Sequence, residues 1–419
     1  MKKKIKVGYV GLGRRGGGVL RDCFSEMADV EITVICDKIE SLLQKTCNML
    51  TEKGRPAPIM TTEYDEVISN PDIDAVIIMT GWAHRPALAE KAMLAGKYTA
   101  IEVGGAYDLE ECFRLIEVYE KTGTPLMMLE NCCYGRREMM ALNVAEKGLF
   151  GELVHCVGGY HHYLPDIELF ARYGIEEPHA HYRVGNYIKR NCENYPTHEL
   201  GPIAKVLKIN RGNRMLTLSS FASKGVGLQD AAKRILGEDS PYANTSYKQG
   251  DIVTTVITCA NGETIHLCLD TTLPRAYYSR NFTVRGTKGM YAEERRTLFF
   301  EGMKEEIENN EEEMYKTYDH PLHKEYAQIG IKEGHDGIDW LVCRAFVESV
   351  KSETNTPIDA YDTVSWLAVS ALSGMSIAKG GMPVDFPDFT KGKWIEREPV
   401  VEGKYCLDKV CVDENTKIY

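Results

Sequence analysis

From Ile5 to Leu129, short apolar runs alternate with stretches whose apolar residues recur at the helical period. That alternation is the mark of a parallel sheet covered by helices. Ile5–Val10, Val30–Cys36, Ala75–Met79, Thr99–Val103 and Leu126–Leu129 predict strands, and Ala75–Met79 carries nothing polar, as a strand buried on both faces requires. Gly16–Met27, Ile39–Lys53, Pro86–Ala95 and Asp108–Lys121 predict helices, with Asp108 as an N-cap and Gly96 as a C-terminal stop.

Beyond Asn131 the pattern changes. Strands are predicted in succession over Leu153–Tyr160, Thr217–Ala222, Asp251–Cys259, Thr264–Thr271, Asn281–Arg285 and Gly289–Glu293, which argues for antiparallel pairing, and Asn261-Gly262 is a hairpin turn signal. Helices follow over Asp336–Lys351 and Ala360–Ala378, while the acidic stretch Lys304–Glu313 reads as a solvated helix or loop. The expected fold is an α/β Rossmann domain over residues 1–130 and an α+β domain over 131–419, the latter with an open, mostly antiparallel sheet and C-terminal helices.

Composition supports two domains, because 419 residues at 43% apolar content exceed what one hydrophobic core normally serves. The net charge of −11 comes without a basic stripe, which argues against nucleic acid as a partner. Lys2, Lys3 and Lys4 precede an apolar run of only six residues that ends in glycine, a first strand rather than an export signal, and no window approaches the roughly 20 apolar residues of a spanning helix. Thirteen scattered cysteines without a C-x-x-C pair fit reduced thiols, so a cytoplasmic protein without membrane attachment is expected.

Gly11-Leu12-Gly13-Arg14-Arg15-Gly16 has the G-x-G-x-x-G spacing between a strand and a helix. There the first glycine makes the tight turn, the second admits a pyrophosphate to the backbone, and the third lets helix pack on strand. Asp37 ends the second strand about 20 residues on, where a carboxylate binds the adenosine ribose of NAD; Arg14 and Lys38 are the nearby cations that a 2′-phosphate would use.

With Glu102 ending the fourth strand and an antiparallel second half, the chain resembles the family of glucose-fructose oxidoreductase and inositol dehydrogenase. That family's Glu-Lys-Pro motif reads Glu102-Val103-Gly104 here, without the lysine. A closer resemblance, to the NAD-dependent glycosidases of glycoside hydrolase family 109, is carried by Met127 to Gly135, by Tyr195-Pro196-Thr197-His198-Glu199-Leu200-Gly201-Pro202, by Ile209-Asn210-Arg211-Gly212, by Tyr278-Ser279-Arg280 and by Pro387-Asp388-Phe389-Thr390.

The resemblance implies cleavage of an N-acetylgalactosaminide-like glycoside by oxidation at C3, elimination across C1 and C2, water addition and re-reduction, with NAD regenerated each turnover. It implies catalytic roles for Glu130, Tyr160, His198 and Tyr278, with Tyr160 at the C2 proton and His198 at the C3 hydroxyl. Sugar contacts are expected from Arg183, Tyr195, Pro196 and Thr197. Cofactor contacts are expected from Gly11, Gly13, Arg15, Gly16, Asp37, Trp82, His84, Glu102, Val103 and Asn131. It also implies a homo-oligomer. The alternative is an NAD-dependent sugar or cyclitol dehydrogenase, which the missing lysine disfavours; a sugar or nucleotide sensor has no use for the Tyr-Pro-Thr-His segment. No metal is expected, because adjacent His161 and His162 on a strand point to opposite faces and His179-Ala180-His181 lacks a third ligand.

Overall fold

The computed structural model describes residues 4–170, 181–303, 307–330, 335–400 and 403–410. The chain divides into two compact units, one of Met1–Leu142, Asp319–Ser365 and Glu398–Tyr419, the other of Asn143–Tyr318 and Trp366–Arg397.

The first unit holds a six-stranded parallel sheet of β1 (Ile5–Val10), β2 (Val30–Cys36), β3 (Ile59–Thr61), β4 (Ala75–Ile78), β5 (Tyr98–Ile101) and β6 (Leu126–Met128), in the order β3-β2-β1-β4-β5-β6. Its connections are α1 (Arg14–Asp22), α2 (Glu40–Glu52), α3 (Tyr64–Ser69), α4 (Arg85–Leu94) and α5 (Leu109–Thr122), and α6 (Arg136–Glu146) follows β6 in the chain. This is the doubly wound Rossmann order, whose reversal between β1 and β4 opens a crevice at the carboxyl ends of the strands. Asp108 caps α5 as expected, its carboxylate accepting from Glu111 N at 2.9 Å, and Gly123 closes the helix in the left-handed region at φ 69°. The helix after the glycines starts at Arg14 and stops at Asp22, earlier at both ends than its apolar period predicts, and a 3₁₀ turn over Phe24–Glu26 completes the span. Two elements have no apolar period to announce them: β3 is three residues long with two exposed, and α3 buries one residue, Val67.

The second unit is built on β7 (Leu153–His161), β8 (Met215–Ala222), β9 (Ile252–Cys259), β10 (Thr264–Asp270), β11 (Thr283–Gly286), β12 (Gly289–Ala292), β13 (Thr297–Phe300) and β14 (Val384–Asp385). Their order is β13-β12-β11-β7-β10-β9-β8-β14, antiparallel throughout except for the parallel pair β7 and β10. Ile265, Leu267 and Leu269 of β10 are buried and alternate with half-exposed Thr264, His266 and Cys268, so one face of the sheet carries the core. α7 (Tyr182–Lys189), α8 (Thr197–Val206), α9 (Gly227–Leu236) and α10 (Glu311–Tyr318) belong to the same unit. The helix α8 is buried at every position except His198, which erases the period that would have predicted it. The acidic stretch is not wholly solvated: Glu311 is buried and accepts from Tyr315. The chain continues through α11 (Pro321–Ile329), α12 (Ile338–Ser352) and α13 (Ala360–Ala378). Among the described residues no helix is long and apolar enough to cross a membrane.

Candidate active site

The expected cofactor residues lie at the carboxyl ends of the first unit's strands. Gly11 turns the chain at φ +94°, and a side chain there would strike Met79 backbone at 2.9 Å. A Cβ on Gly16 would come within 2.1 Å of Gly11 O, whereas one on Gly13 would meet nothing within 4 Å, which leaves open space where a pyrophosphate reaches the amides at the start of α1. Asp37 braces this loop: one carboxylate oxygen accepts from Leu12 N at 2.7 Å and the other from Ile39 N at 3.0 Å. Each oxygen retains a lone pair for a ribose hydroxyl. The glycine loop, the open space at Gly13 and the acid at the end of β2 fit a dinucleotide.

The ends of β5 and β6 are tied together by charge. Arg15, two residues into α1, places Nε 3.1 Å from Glu102 Oε2 and donates to both oxygens of Asp339, at 2.6 and 2.8 Å. Asn131 Nδ2 donates to Asp339 Oδ1 at 2.6 Å, and His335 Nδ1 lies 2.7 Å from Asp339 Oδ2. Burial works against ionised Asp339, but Arg15 and His335 outweigh it and hold its carboxyl well below the usual range. Asp339 and His335 carry no motif and lie some 200 residues from the strands they serve, so sequence reading missed them. It also missed the role of buried Arg85, which donates to the carbonyls of Thr80, Glu102 and Val103 and so locks the end of β4 to the end of β5. Trp82 is buried, with Nε1 2.4 Å from where a Cβ on Gly104 would sit; His84 is exposed ahead of α4. Glu130 is fully buried at the end of β6, where its carboxylate caps the next turn by accepting from Cys132 N at 3.0 Å.

The expected sugar-handling residues gather in the second unit. Gly158 on β7 lets α8 approach, since a Cβ there would lie 2.6 Å from Glu199 Cβ, and that approach brings Tyr160 against the first turn of α8. The Tyr160 ring lies 4.5 Å from that of Tyr195, 5.5 Å from His198 and 6.4 Å from Tyr278. Tyr195 Oη and His198 Nε2 are 3.3 Å apart, and Tyr160 Oη and His162 Nδ1 are 3.1 Å apart. Arg183 packs on the cluster, with its guanidinium carbon 4.5 Å from the Tyr195 ring centre and Nη1 3.3 Å from Glu168 Oε1. Burial pushes the Tyr160 phenol up, and neighbouring Arg183 pulls it part of the way back. Burial also penalises charged Arg183, but Glu168 and the surrounding tyrosines more than compensate and keep it cationic. Pro196 and Thr197 open α8, with Thr197 fully buried. His161 and His162 turn to opposite sides of β7: the His162 ring lies 5.0 Å from Tyr278, while a Cβ on Gly159 would meet the His161 ring. His181 pairs with Glu168 at 3.5 Å; His179 lies outside the described residues.

Glu193 is a further residue that the sequence did not announce. Fully buried two positions before Tyr195, it accepts from Tyr195 N at 3.3 Å through Oε1, while Oε2 finds no hydrogen-bond partner among the described residues. Burial pushes its carboxyl up to about 8. Ser373 accepts from its amide and Ser370 donates to its carbonyl, so the backbone leading into Tyr195 is fixed on both sides.

Comparison with known proteins places the chain in a family. Residues 5–130 match the oxidoreductase family with an NAD-binding Rossmann fold, and residues 134–396 match the C-terminal domain of glycosyl hydrolase 109. The α-N-acetylgalactosaminidase of Tannerella forsythia is 37% identical over 414 residues, covering 94% of this chain and 88% of its own. The chain belongs to glycosyl hydrolase family 109. A family 109 protein of Stenotrophomonas maltophilia is likewise 37% identical, over 96% of this chain and 93% of its own. Among solved structures, a levoglucosan dehydrogenase in complex with NADH superposes with a TM-score of 0.67 at 18% identity, over 92% of this chain and all of that one. The apo scyllo-inositol dehydrogenase of Lactobacillus casei follows at 0.64 and 16%, over 92% of this chain and 99% of its own. These two share the fold. This family 109 protein is a glycoside hydrolase that uses NAD on a Rossmann domain of the oxidoreductase type.

Proposed function

We propose that this glycoside hydrolase cleaves an N-acetylgalactosaminide-like substrate by oxidation at C3, elimination across C1 and C2, addition of water and re-reduction. The observation that carries the reading is the packing of Tyr160, Tyr195, His198 and Tyr278 beneath a buried arginine, in a chain whose other unit binds NAD. The activity printed for the Tannerella forsythia relative supports the choice of sugar.

Bound NAD supplies a reversible hydride acceptor. Gly11, Gly13, Gly16 and Asp37 hold its adenosine and phosphates, while Arg15, Trp82, His84, Glu102, Val103 and Asn131 serve the nicotinamide end. At rest Tyr160 is a neutral phenol because it is buried; Arg183 lowers the cost of ionising it, and once its own proton has passed to His162 Nδ1, 3.1 Å away, the phenolate accepts the C2 proton. His198, steadied by Tyr195, takes the proton of the C3 hydroxyl. Tyr278, half-exposed on its loop, or Glu130 serves the leaving group and the incoming water. Arg183, Tyr195, Pro196 and Thr197 hold the sugar. The scattered, mostly buried cysteines support a reducing cytoplasmic setting, and Phe221 and Val256, exposed on one face of the sheet, support a homo-oligomer.

The test is turnover of aryl α- and β-N-acetylgalactosaminides by protein stripped of NAD and then resupplied. The reading expects aglycone release that depends on NAD and leaves no net NADH. Steady NADH accumulation from a free sugar, without aglycone release, would establish the dehydrogenase instead.

A further inference from the structure

Asp339 gathers residues that are distant in sequence. It binds Arg15 from the glycine loop and, through Arg15, is linked to Glu102 at the end of β5; it also binds Asn131 just past the end of β6. In a sheet of this order the two nucleosides of a dinucleotide lie on either side of the switch between β1 and β4. Asp37 on β2 marks the adenosine side, so the ends of β5 and β6 mark the nicotinamide side.

The segment entering α12 is strained. His335, Asp336 and Gly337 stand consecutively in the left-handed region, at φ 45°, 56° and 87°, and two of the three are not glycine. Such backbone persists where surrounding contacts over-determine it, and it concentrates at ligand clamps. Here the conformation aims the His335 ring at Asp339, while 66% of that side chain stays exposed. With Nδ1 engaged by the carboxylate at 2.7 Å, Nε2 is the remaining ring nitrogen for a ligand hydroxyl. On a dinucleotide the donors on this side are the hydroxyls of the nicotinamide-side ribose and the carboxamide amine, and the ribose is the one bonded directly to the phosphates received at the first turn of α1, where Arg15 meets Asp339.

We propose that His335 is a ligand of NAD, forming a hydrogen bond between Nε2 and a hydroxyl of the nicotinamide-side ribose, and that Asp339 is the residue that positions it. The inference rests on the cofactor and is independent of the sugar or the reaction.

Binding of NAD, ADP-ribose and ADP to the full chain, followed by calorimetry, tests it. ADP-ribose keeps the second ribose and lacks nicotinamide; ADP lacks both. His335→Ala should weaken NAD and ADP-ribose alike, by about fivefold to tenfold as expected for one hydrogen bond, and leave ADP unchanged. Its ligand-free Tm should match the parent's, because the ring is mostly exposed. Asp339→Asn should weaken the same two ligands further, and if that variant fails to fold, His335→Ala alone decides. Unchanged NAD affinity in His335→Ala would overturn the proposal. Equal weakening of all three ligands would overturn it too, by moving the effect to the phosphates or the scaffold, and weakening of NAD alone would move the contact to the carboxamide.

Discussion

The two units solve recognition differently. In the first, the phosphate cradle is main chain: a glycine turn and the amides of α1 form it, its shape depends on the absence of side chains at Gly11 and Gly16, and side chains such as Asp37 line only its two ends. In the second, the site is side chain: three tyrosines and a histidine from β7, the segment entering α8, α8 itself and the loop before β11 pack ring against ring, with an arginine of α7 over one of them. A backbone cradle tolerates no added atoms but is indifferent to most other changes. An aromatic cluster can lose a single oxygen, keep its shape and lose its chemistry.

Tyr160→Phe is the sharpest break. It should lower turnover of an aryl glycoside by about a thousandfold, within the range for loss of a positioned acid–base group, while NAD binding by calorimetry stays at the parent's value. Gly16→Val should do the reverse: its Cβ would lie 2.1 Å from Gly11 O, so NAD binding should fall by about a hundredfold and overpacking should cost about 2 kcal/mol in thermal unfolding. Next comes Glu193→Gln. The native carboxyl holds a proton up to about pH 8, whereas the unfolded chain releases it near its ordinary value of 4.5. Stability of the parent should therefore fall as pH rises across that window. The glutamine variant should show a flatter profile by urea titration and exceed the parent at the alkaline end; an unchanged slope would contradict buried, protonated Glu193. Smallest is Asp108→Ala, which removes the cap of α5 and should cost about 1 kcal/mol in urea unfolding with little change in activity.

The same contrast explains what was legible in the sequence. Nucleotide recognition is local, so the strand, the glycines, α1 and Asp37 appear together within one short stretch of chain and could be read from spacing. Six strands of the second sheet, β7 to β12, announced themselves in the sequence, whereas the short β13 and β14 did not, nor did α8, where burial on nearly all sides left no period to detect. Its residues were legible only as a matched Tyr-Pro-Thr-His segment. Asp339, His335, Arg85 and Glu193 were illegible for a further reason: each acts through a partner brought near by folding, and an isolated Asp, His, Arg or Glu carries no sign of that partner. Nor did sequence show that burial would raise the Tyr160 phenol and make Arg183 its counterweight.

The central claim, that glycoside cleavage proceeds through loss of the C2 proton, is tested most directly by turning over an aryl α-N-acetylgalactosaminide in deuterated water and reading C2 of the released sugar by NMR. The account predicts deuterium at C2 in the wild-type product, dependent on Tyr160. Aglycone release at full rate with protium retained at C2 would contradict it.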